Sequence, residues 1–271
     1  MKKLLSLFAF CCVATTFAQT ETISQKPLTI GEIKTIKSAV LNENRQINIY
    51  LPQGYDKDKS YSVVYLLDGS LGEDFLHVVG LVQFFNLMYT MPETIVVGIE
   101  NVDRKRDFTF HTDLKELTDK YPTTGHSDDF IRFLETELLP YIKSNYKTTN
   151  ENYLIGQSLG GLLVGEILLR KPQLFSHYLI VSPSLWWDDE SLLKNAKVVV
   201  SKNDYKGKYV YVSAGGKEDK IMQKDADVFY KIIAATKGVK SDFALLSDED
   251  HGTILHQSLY KAFTKLFKPR Y

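Results

Sequence analysis

Short apolar runs alternate with amphipathic segments along most of the chain. Residues 61–67 and 93–99 are almost continuously apolar, a pattern typical of strands that are buried on both faces. Residues 127–146 repeat apolar side chains at three- and four-residue intervals, which predicts an amphipathic helix. By the same criteria we predict further strands at residues 33–41, 45–51, 152–156, 178–181, 209–213 and 241–246, and further helices at residues 74–88, 160–170, 225–235 and 255–267.

The order of these elements predicts the fold class. Strands separated by helices of ten or more residues indicate parallel strand pairs with helices on both faces of the sheet. No helix separates the first two strands, so they are expected to form an antiparallel edge. We therefore predict an α/β protein with a mainly parallel sheet, which binds ligands at the carboxyl ends of its strands. The polar stretch at residues 101–126 is expected to be a long surface loop, and the absence of repeats and linkers predicts one domain over residues 27–271.

The start of the chain has the pattern of a secretion signal. Two lysines precede an apolar run at residues 4–13, and small residues follow at Thr16 and Ala18. This arrangement is typical of a cleaved signal peptide, and the apolar run is too short to span a bilayer as a helix. We expect a signal peptide at residues 1–18, a secreted or periplasmic protein and no membrane span. A buried N-terminal helix or strand is the alternative.

Composition narrows the function classes further. The chain has 271 residues, is 44% hydrophobic, and balances 33 Lys and Arg against 33 Asp and Glu. Such a composition excludes a disordered chain, and the lack of a basic excess argues against a general nucleic-acid binder.

A lipid anchor at Cys11 or Cys12 is disfavoured because the bulky Phe10 precedes them. Cleavage after residue 18 would remove both cysteines, leaving no disulfide and no thiolate metal site.

A candidate nucleophile lies between a predicted strand and a predicted helix. Residues 156–161 read Gly-Gln-Ser-Leu-Gly-Gly, which is the G-x-S-x-G pattern of a nucleophile elbow. This sharp turn forces a strained backbone on the serine and requires glycines beside it. It would present the Ser158 hydroxyl at a helix N-terminus, where developing negative charge is favoured.

A serine nucleophile needs a histidine base that is held by a carboxylate. His251 follows the last predicted strand directly and is the candidate base. Glu218 and Asp219 both follow the strand at residues 209–213; we favour Glu218 as the acid and keep Asp219 as the alternate. The other five histidines are expected to be structural (His77 and His177), on the surface of the closing helix (His256) or in the polar loop (His111 and His126).

An acyl-transfer enzyme also needs two N–H groups directed at the oxyanion. The backbone of Leu159, next to the nucleophile, is expected to supply one of them. Ser70 or Leu71 is expected to supply the other, because both lie in the turn after the buried strand at residues 61–67. A simple tight turn there is the alternative. This chemistry implies no metal and no organic cofactor.

The assembled motifs resemble those of the esterase D-like family of α/β-hydrolases, over nearly the whole chain after the signal. The carriers of the resemblance are Leu-Leu-Asp-Gly at 66–69, Val-Val-Gly-Ile at 96–99, Arg-Lys-Arg-Asp-Phe-Thr at 104–109, the serine motif, Ser-Pro-Ser-Leu-Trp-Trp-Asp at 182–188, residues 215–218, and His-Gly at 251–252. The resemblance implies an α/β-hydrolase fold and an ester hydrolase, with Ser158, His251 and Glu218 as nucleophile, base and orienting acid. The resemblance is strongest to the siderophore-esterase and carbohydrate-esterase branches of that family.

The chain departs from this family's pattern at two places. Many members have histidine at the position of Gln157, and many have His-Gly where this chain has Asp68 and Gly69. Neither side chain is needed for bond making, so the implied activity is unaffected.

Four residues near strand ends are candidates for substrate binding. Arg104 and Arg106 would clamp an acidic ester such as a ferric siderophore, with a solvated loop as the alternative. Trp186 and Trp187 would line an acyl or sugar pocket, and at least one of them is expected to pack in the core. The expected substrate is a small-molecule ester, with siderophores and acylated carbohydrates as candidates. An acyltransferase with the same triad, a binding module with an inactive site and a serine peptidase are the alternatives.

Overall fold

An eight-stranded sheet runs through the centre of the protein. The computed structural model describes residues 23–267, so the predicted signal peptide at residues 1–18 lies outside the described residues. The chain divides into a short N-terminal segment that ends at Ile30 and a compact body that begins at Gly31. The strands of the body are β1 (Glu32–Ser38), β2 (Glu43–Tyr50), β3 (Tyr61–Leu66), β4 (Thr94–Ile99), β5 (Thr148–Gln157), β6 (His177–Val181), β7 (Tyr209–Gly215) and β8 (Lys240–Leu246).

Helices connect the strands from β3 onwards. They are α1 (Phe75–Leu87), α2 (Arg104–Phe108), α3 (Lys115–Lys120), α4 (Ser127–Phe133), α5 (Leu139–Asn145), α6 (Leu159–Arg170), α7 (Trp187–Val200), α8 (Lys220–Ala234) and α9 (Ile254–Leu266), and a π-helical turn (Leu134–Leu138) joins α4 to α5. Among residues 23–267, none of these helices combines the length and the hydrophobicity that a membrane-spanning segment requires.

The strand order confirms the predicted fold class. The order across the sheet is β1-β2-β4-β3-β5-β6-β7-β8. β1 pairs with β2 and β2 with β4 in antiparallel fashion, while all pairs from β4 to β8 are parallel. The carboxyl ends of β3, β5, β6, β7 and β8 therefore lie at one edge of the sheet, where the loops that follow them meet.

Both faces of the sheet are covered by hydrophobic clusters. All six residues of β3 are buried, and from Val63 onwards they alternate between the two clusters, with Val63 and Tyr65 in one and Val64 and Leu66 in the other. The first cluster contains side chains of α4 to α8, and the second contains side chains of α1 and α9. Burial on both faces explains why the strand reads as a continuous apolar run rather than an alternating one.

The structure corrects three expectations about the connections. Residues 101–126 contain two short helices, α2 and α3, instead of one long surface loop. α7 was not predicted, because its first turn contains three acidic residues, at 188–190. These three residues have a left-handed backbone, with φ between 50° and 58°. The helix predicted over residues 127–146 is interrupted by the π-helical turn.

Candidate active site

Ser158 lies at the turn between β5 and α6. Its backbone has φ 60° and ψ −121°, which is the strained conformation expected for a nucleophile elbow. A Cβ on Gly156 would come within 2.5 Å of the backbone carbonyl of Gly160, so only glycine fits there. The turn thus places the serine hydroxyl above the carboxyl edge of the sheet.

His251 and Glu218 form a close pair at the same edge. His251 Nδ1 lies 2.7 Å from Glu218 Oε1, and Glu218 Oε2 accepts a hydrogen bond of 2.9 Å from the Gly215 amide. The Glu218 side chain is 1% exposed, whereas that of His251 is 46% exposed. Burial raises the pKa of Glu218, but hydrogen bonds from His251 and Gly215 favour the carboxylate more strongly, and the pKa lies below its usual value. Glu218 is therefore ionised at neutral pH and fixes the orientation of the imidazole.

Asp219, the alternate acid, has a different role. Its Oδ1 accepts a hydrogen bond of 3.2 Å from the Ile221 amide, and it is the N-cap residue of α8. A carboxylate in this position satisfies one of the free amides at a helix start. Glu218, not Asp219, is the carboxylate that contacts the histidine.

Ser158 and His251 line one cavity of about 490 Å³. The Ser158 hydroxyl lies 3.3 Å from Ser184 Oγ, and within the described chain no hydrogen bond joins it to the imidazole. Catalytic hydrogen bonds are often long or absent without substrate and form in the complex. The other residues of the cavity wall are Trp186, Lys217, Glu218, Asp219, Met222, Asp250 and Gly252. Sequence analysis did not single out Ser184, Lys217 or Met222, although Ser184 belongs to the motif at residues 182–188.

The amides that we expect to be oxyanion donors lie at the start of α6 and in the turn after β3. The Leu159 amide is the first of α6, where amides have no partner within the helix. In the turn, the Gly69 amide donates to the Ile99 carbonyl at 2.9 Å. The amides of Ser70 and Leu71, by contrast, have no hydrogen-bond acceptor among residues 23–267. These three N–H groups are thus available to a ligand.

The guanidinium groups of the two candidate arginines form ion pairs with carboxylates of this chain. Arg104 forms a bidentate pair with Asp68, through contacts of 2.6 and 2.9 Å. Arg106 contacts Glu43 at 2.7 and 3.0 Å and Asp107 at 2.7 Å. Neither arginine lines the cavity that contains Ser158, so the expected anion clamp is not part of its wall.

The two tryptophans separate as expected for one pocket residue and one core residue. Trp186 lines the cavity beside Ser158. Trp187 is 1% exposed, and its indole N–H donates to the Phe110 carbonyl at 3.1 Å. The second tryptophan therefore supports the cavity wall without contacting its contents.

Gln157, Arg104 and Asp68 connect the loops around the site. The Gln157 side-chain amide donates to the backbone carbonyl of His251, and Arg104 donates to the backbone carbonyl of Gln157 at 3.2 Å. Asp68, which pairs with Arg104, begins the turn that contains Ser70. These contacts join the loop that contains His251, the end of β5 and the turn after β3. Among residues 23–267 no group of three His, Cys, Asp or Glu side chains is placed to hold a metal ion.

Comparison with known proteins identifies the family. Residues 38–253 match the model of the family described as "Putative esterase". Ferri-bacillibactin esterase BesA of Bacillus subtilis (strain 168) is 30% identical over 243 residues, which cover 79% of this chain and 82% of that protein.

Solved structures of related proteins have the same fold. An IroE-like serine hydrolase from Shewanella oneidensis superposes with a TM-score of 0.82 and 32% identity, covering 88% of this chain and 80% of that one. The BES protein from Bacillus cereus gives a TM-score of 0.79 and 26% identity, covering 90% of this chain and 98% of that one. The chain belongs to the "Putative esterase" family, has the α/β-hydrolase fold and is an ester hydrolase.

Proposed function

We propose that the protein is an exported serine esterase that hydrolyses a small-molecule carboxylic ester through an acyl-enzyme. The observation that carries this proposal is the contact of 2.7 Å between His251 Nδ1 and Glu218 Oε1, in the cavity that also contains Ser158. A proton on Nδ1, donated to the carboxylate, leaves the lone pair of Nε2 available to accept the serine proton.

The proposed reaction proceeds in two halves. Ser158 Oγ attacks the ester carbonyl carbon while its proton passes to His251 Nε2. The Leu159 amide and that of Ser70 or Leu71 hold the resulting oxyanion. Collapse of this intermediate breaks the bond to the alcohol, which leaves with the proton from His251. Water then attacks the acyl-enzyme, gives one proton to His251, and releases the acid as that proton returns to Ser158.

Hydrolysis of a p-nitrophenyl ester series from acetate to octanoate, by the full chain and by Ser158→Ala, tests this proposal. We expect turnover that is abolished by Ser158→Ala, together with covalent labelling of Ser158 by a fluorophosphonate. Labelling in the absence of Ser158, or turnover that survives its replacement, would contradict the serine mechanism. An alcohol acceptor added to the assay distinguishes hydrolysis from acyl transfer, since a transferase would form a new ester.

Among small-molecule esters, siderophore esters are the first candidate class of substrate. Ferri-bacillibactin esterase BesA is one of the relatives described above, and its likeness in sequence supports a related substrate for this chain. Acylated carbohydrates are the second candidate class. Product analysis after incubation with a trilactone siderophore and with an acetylated sugar, each beside Ser158→Ala, separates the two.

We also propose that residues 1–18 are a cleaved signal peptide and that residues 27–271 form the single catalytic domain. The lysines, the apolar run and the small residues at Thr16 and Ala18 support this assignment. Expression of the full chain in a bacterial host, followed by mass spectrometry of the periplasmic and extracellular fractions, tests it. We expect a product that begins at Gln19, and a chain that keeps its first residues in the cytoplasm would contradict export.

A further inference from the structure

Two histidine rings meet where α1 packs against α9. His77 Nδ1 lies 3.3 Å from His256 Nδ1, and the ring centroids are 5.4 Å apart. Aromatic contacts hold the two helices together, since the Phe85 ring centroid lies 5.6 Å from that of Phe263 and 5.4 Å from that of Tyr260. The two imidazoles are therefore carried by packed helices, which limits how far the nitrogens can separate.

Asp74 determines which nitrogen of His77 faces His256. Asp74 Oδ1 lies 3.1 Å from His77 Nε2. An ionised carboxylate accepts hydrogen bonds, so the proton resides on Nε2 and the lone pair of Nδ1 points towards His256. Metal-binding histidines commonly donate their second nitrogen to a carboxylate in this way. Asp74 immediately precedes α1, yet its side chain forms no capping hydrogen bond, so helix capping does not account for its position.

The separation of the two Nδ1 atoms matches two ligands of one tetrahedral ion. Zinc–imidazole bonds are about 2.0–2.1 Å long, and two such bonds at a tetrahedral angle place their nitrogens about 3.3 Å apart. The His77 side chain is 32% exposed and His256 is exposed, so water can complete the coordination. The described residues supply no third ligand, which makes this an open site with two protein ligands.

We propose that His77 and His256 form a binding site for a divalent transition-metal ion such as Zn²⁺, with Asp74 orienting His77. Imidazole nitrogen suits zinc, copper and nickel, whereas magnesium and calcium favour oxygen ligands. The ion joins the first turns of α1 and α9. These helices follow the turn that contains Ser70 and the loop that contains His251. The site is separate from the triad, and its existence does not depend on the proposed ester hydrolysis.

Calorimetric titration with Zn²⁺ tests this site. The full chain is used without a histidine tag and with Cys11→Ser and Cys12→Ser, because thiolates also bind zinc. We expect one Zn²⁺ per chain, and at least a tenfold loss of affinity in His77→Gln and in His256→Gln. Asp74→Asn should weaken binding about tenfold, because it removes the carboxylate that orients the ligand.

His111→Gln is the matched control. The exposed His111 ring also contacts a carboxylate, that of Asp113 at 3.0 Å, but among residues 23–267 no hydrogen bond joins it to a second imidazole. This variant should keep the affinity of the parent chain, and all variants should have the same melting temperature without metal. Unchanged zinc affinity in both His77→Gln and His256→Gln would overturn the proposal. A parent chain that binds no zinc would also overturn it, and the contact would then be a hydrogen bond between two rings.

Discussion

Replacing Gln157 with methionine should slow ester hydrolysis while leaving the fold intact. The Gln157 side-chain amide donates to the backbone carbonyl of His251, and Gln157 is the residue immediately before Ser158. The contact thereby links the loop that carries the candidate base to the strand that leads to the candidate nucleophile. Methionine fills a similar volume but cannot donate this hydrogen bond, so the histidine loop gains freedom relative to the serine.

The size of the effect follows from the single bond that is lost. A side-chain hydrogen bond contributes about 0.5–1.5 kcal/mol net. If all of this is lost from the transition state, kcat falls by about 2- to 13-fold, since each 1.36 kcal/mol corresponds to a factor of ten. KM should change less than kcat, because Gln157 is not among the residues that line the cavity. The same loss of stability would lower the melting temperature by only a few degrees in a domain of this size.

The assay is steady-state hydrolysis of p-nitrophenyl acetate, together with the rate of fluorophosphonate labelling of Ser158. Gln157→His should recover much of the activity, because a ring N–H can donate to the same carbonyl. Asn203→Leu is the matched control. Asn203 also donates a side-chain amide N–H to a backbone carbonyl, that of Leu169 at 2.8 Å, but it does not line the cavity that contains Ser158. Wild-type kcat in Gln157→Met, or an equal loss in Asn203→Leu, would refute the reasoning.

Three further predictions test other parts of the structure. Glu218→Gln should lower kcat/KM by about 10³–10⁴-fold, because the imidazole loses the carboxylate that orients it, whereas Asp219→Asn should leave kcat/KM within about threefold. Burial lowers the pKa of His177 to about 4. The His177 imidazole is therefore protonated below about pH 6.5 in the unfolded chain, but only near pH 4 in the folded chain. The free energy of unfolding should therefore fall by up to about 3 kcal/mol as the pH decreases through this window, and urea titrations of His177→Phe should lack that decrease. Arg104→Met leaves the Asp68 carboxylate, which is 8% exposed, without its cationic partner, although Asn101 still donates to it. The substitution should cost about 3 kcal/mol of unfolding free energy in urea, and Arg104→Met combined with Asp68→Asn should restore part of this loss.

The residues of the candidate triad could be predicted because each has a local signal. Ser158 is surrounded by the glycines that a strained turn requires, and His251 and Glu218 each follow a strand with a clear apolar pattern. The preference for Glu218 over Asp219 could not be derived from position alone, since both follow β7. The structure distinguishes them because β7 and β8 are neighbours in the sheet, so the loops that follow these two strands meet and Glu218 contacts the histidine.

The segment at residues 101–126 could not be predicted because its partners are distant in sequence. Asp107 is completely buried, and its carboxylate contacts Arg45 at 2.7 Å. Arg106 contacts Glu43 in the same cluster. A run of charged residues has the same hydropathy whether its side chains face water or one another, so the periodicity that identifies strands and helices says nothing about such pairs. Long-range pairing of charges therefore buries the first part of the expected surface loop, around Asp107 and Phe108, whereas α3 has no buried residue.

That pairing also changes what the cavity can bind. The charges of Arg104 and Arg106 are balanced by internal carboxylates, and the described residues of the cavity wall include Lys217 together with the carboxylates of Glu218, Asp219 and Asp250. Next to the scissile bond, such a wall should favour an acyl group without charge over one that carries a carboxylate, since charges that are not complementary disfavour association. We expect a neutral p-nitrophenyl ester to have a higher kcat/KM than a dicarboxylate half-ester of equal chain length, with a difference that shrinks as salt screens the carboxylates. A preference for the anionic ester that weakens with salt would show instead that a positive surface outside this wall guides the substrate.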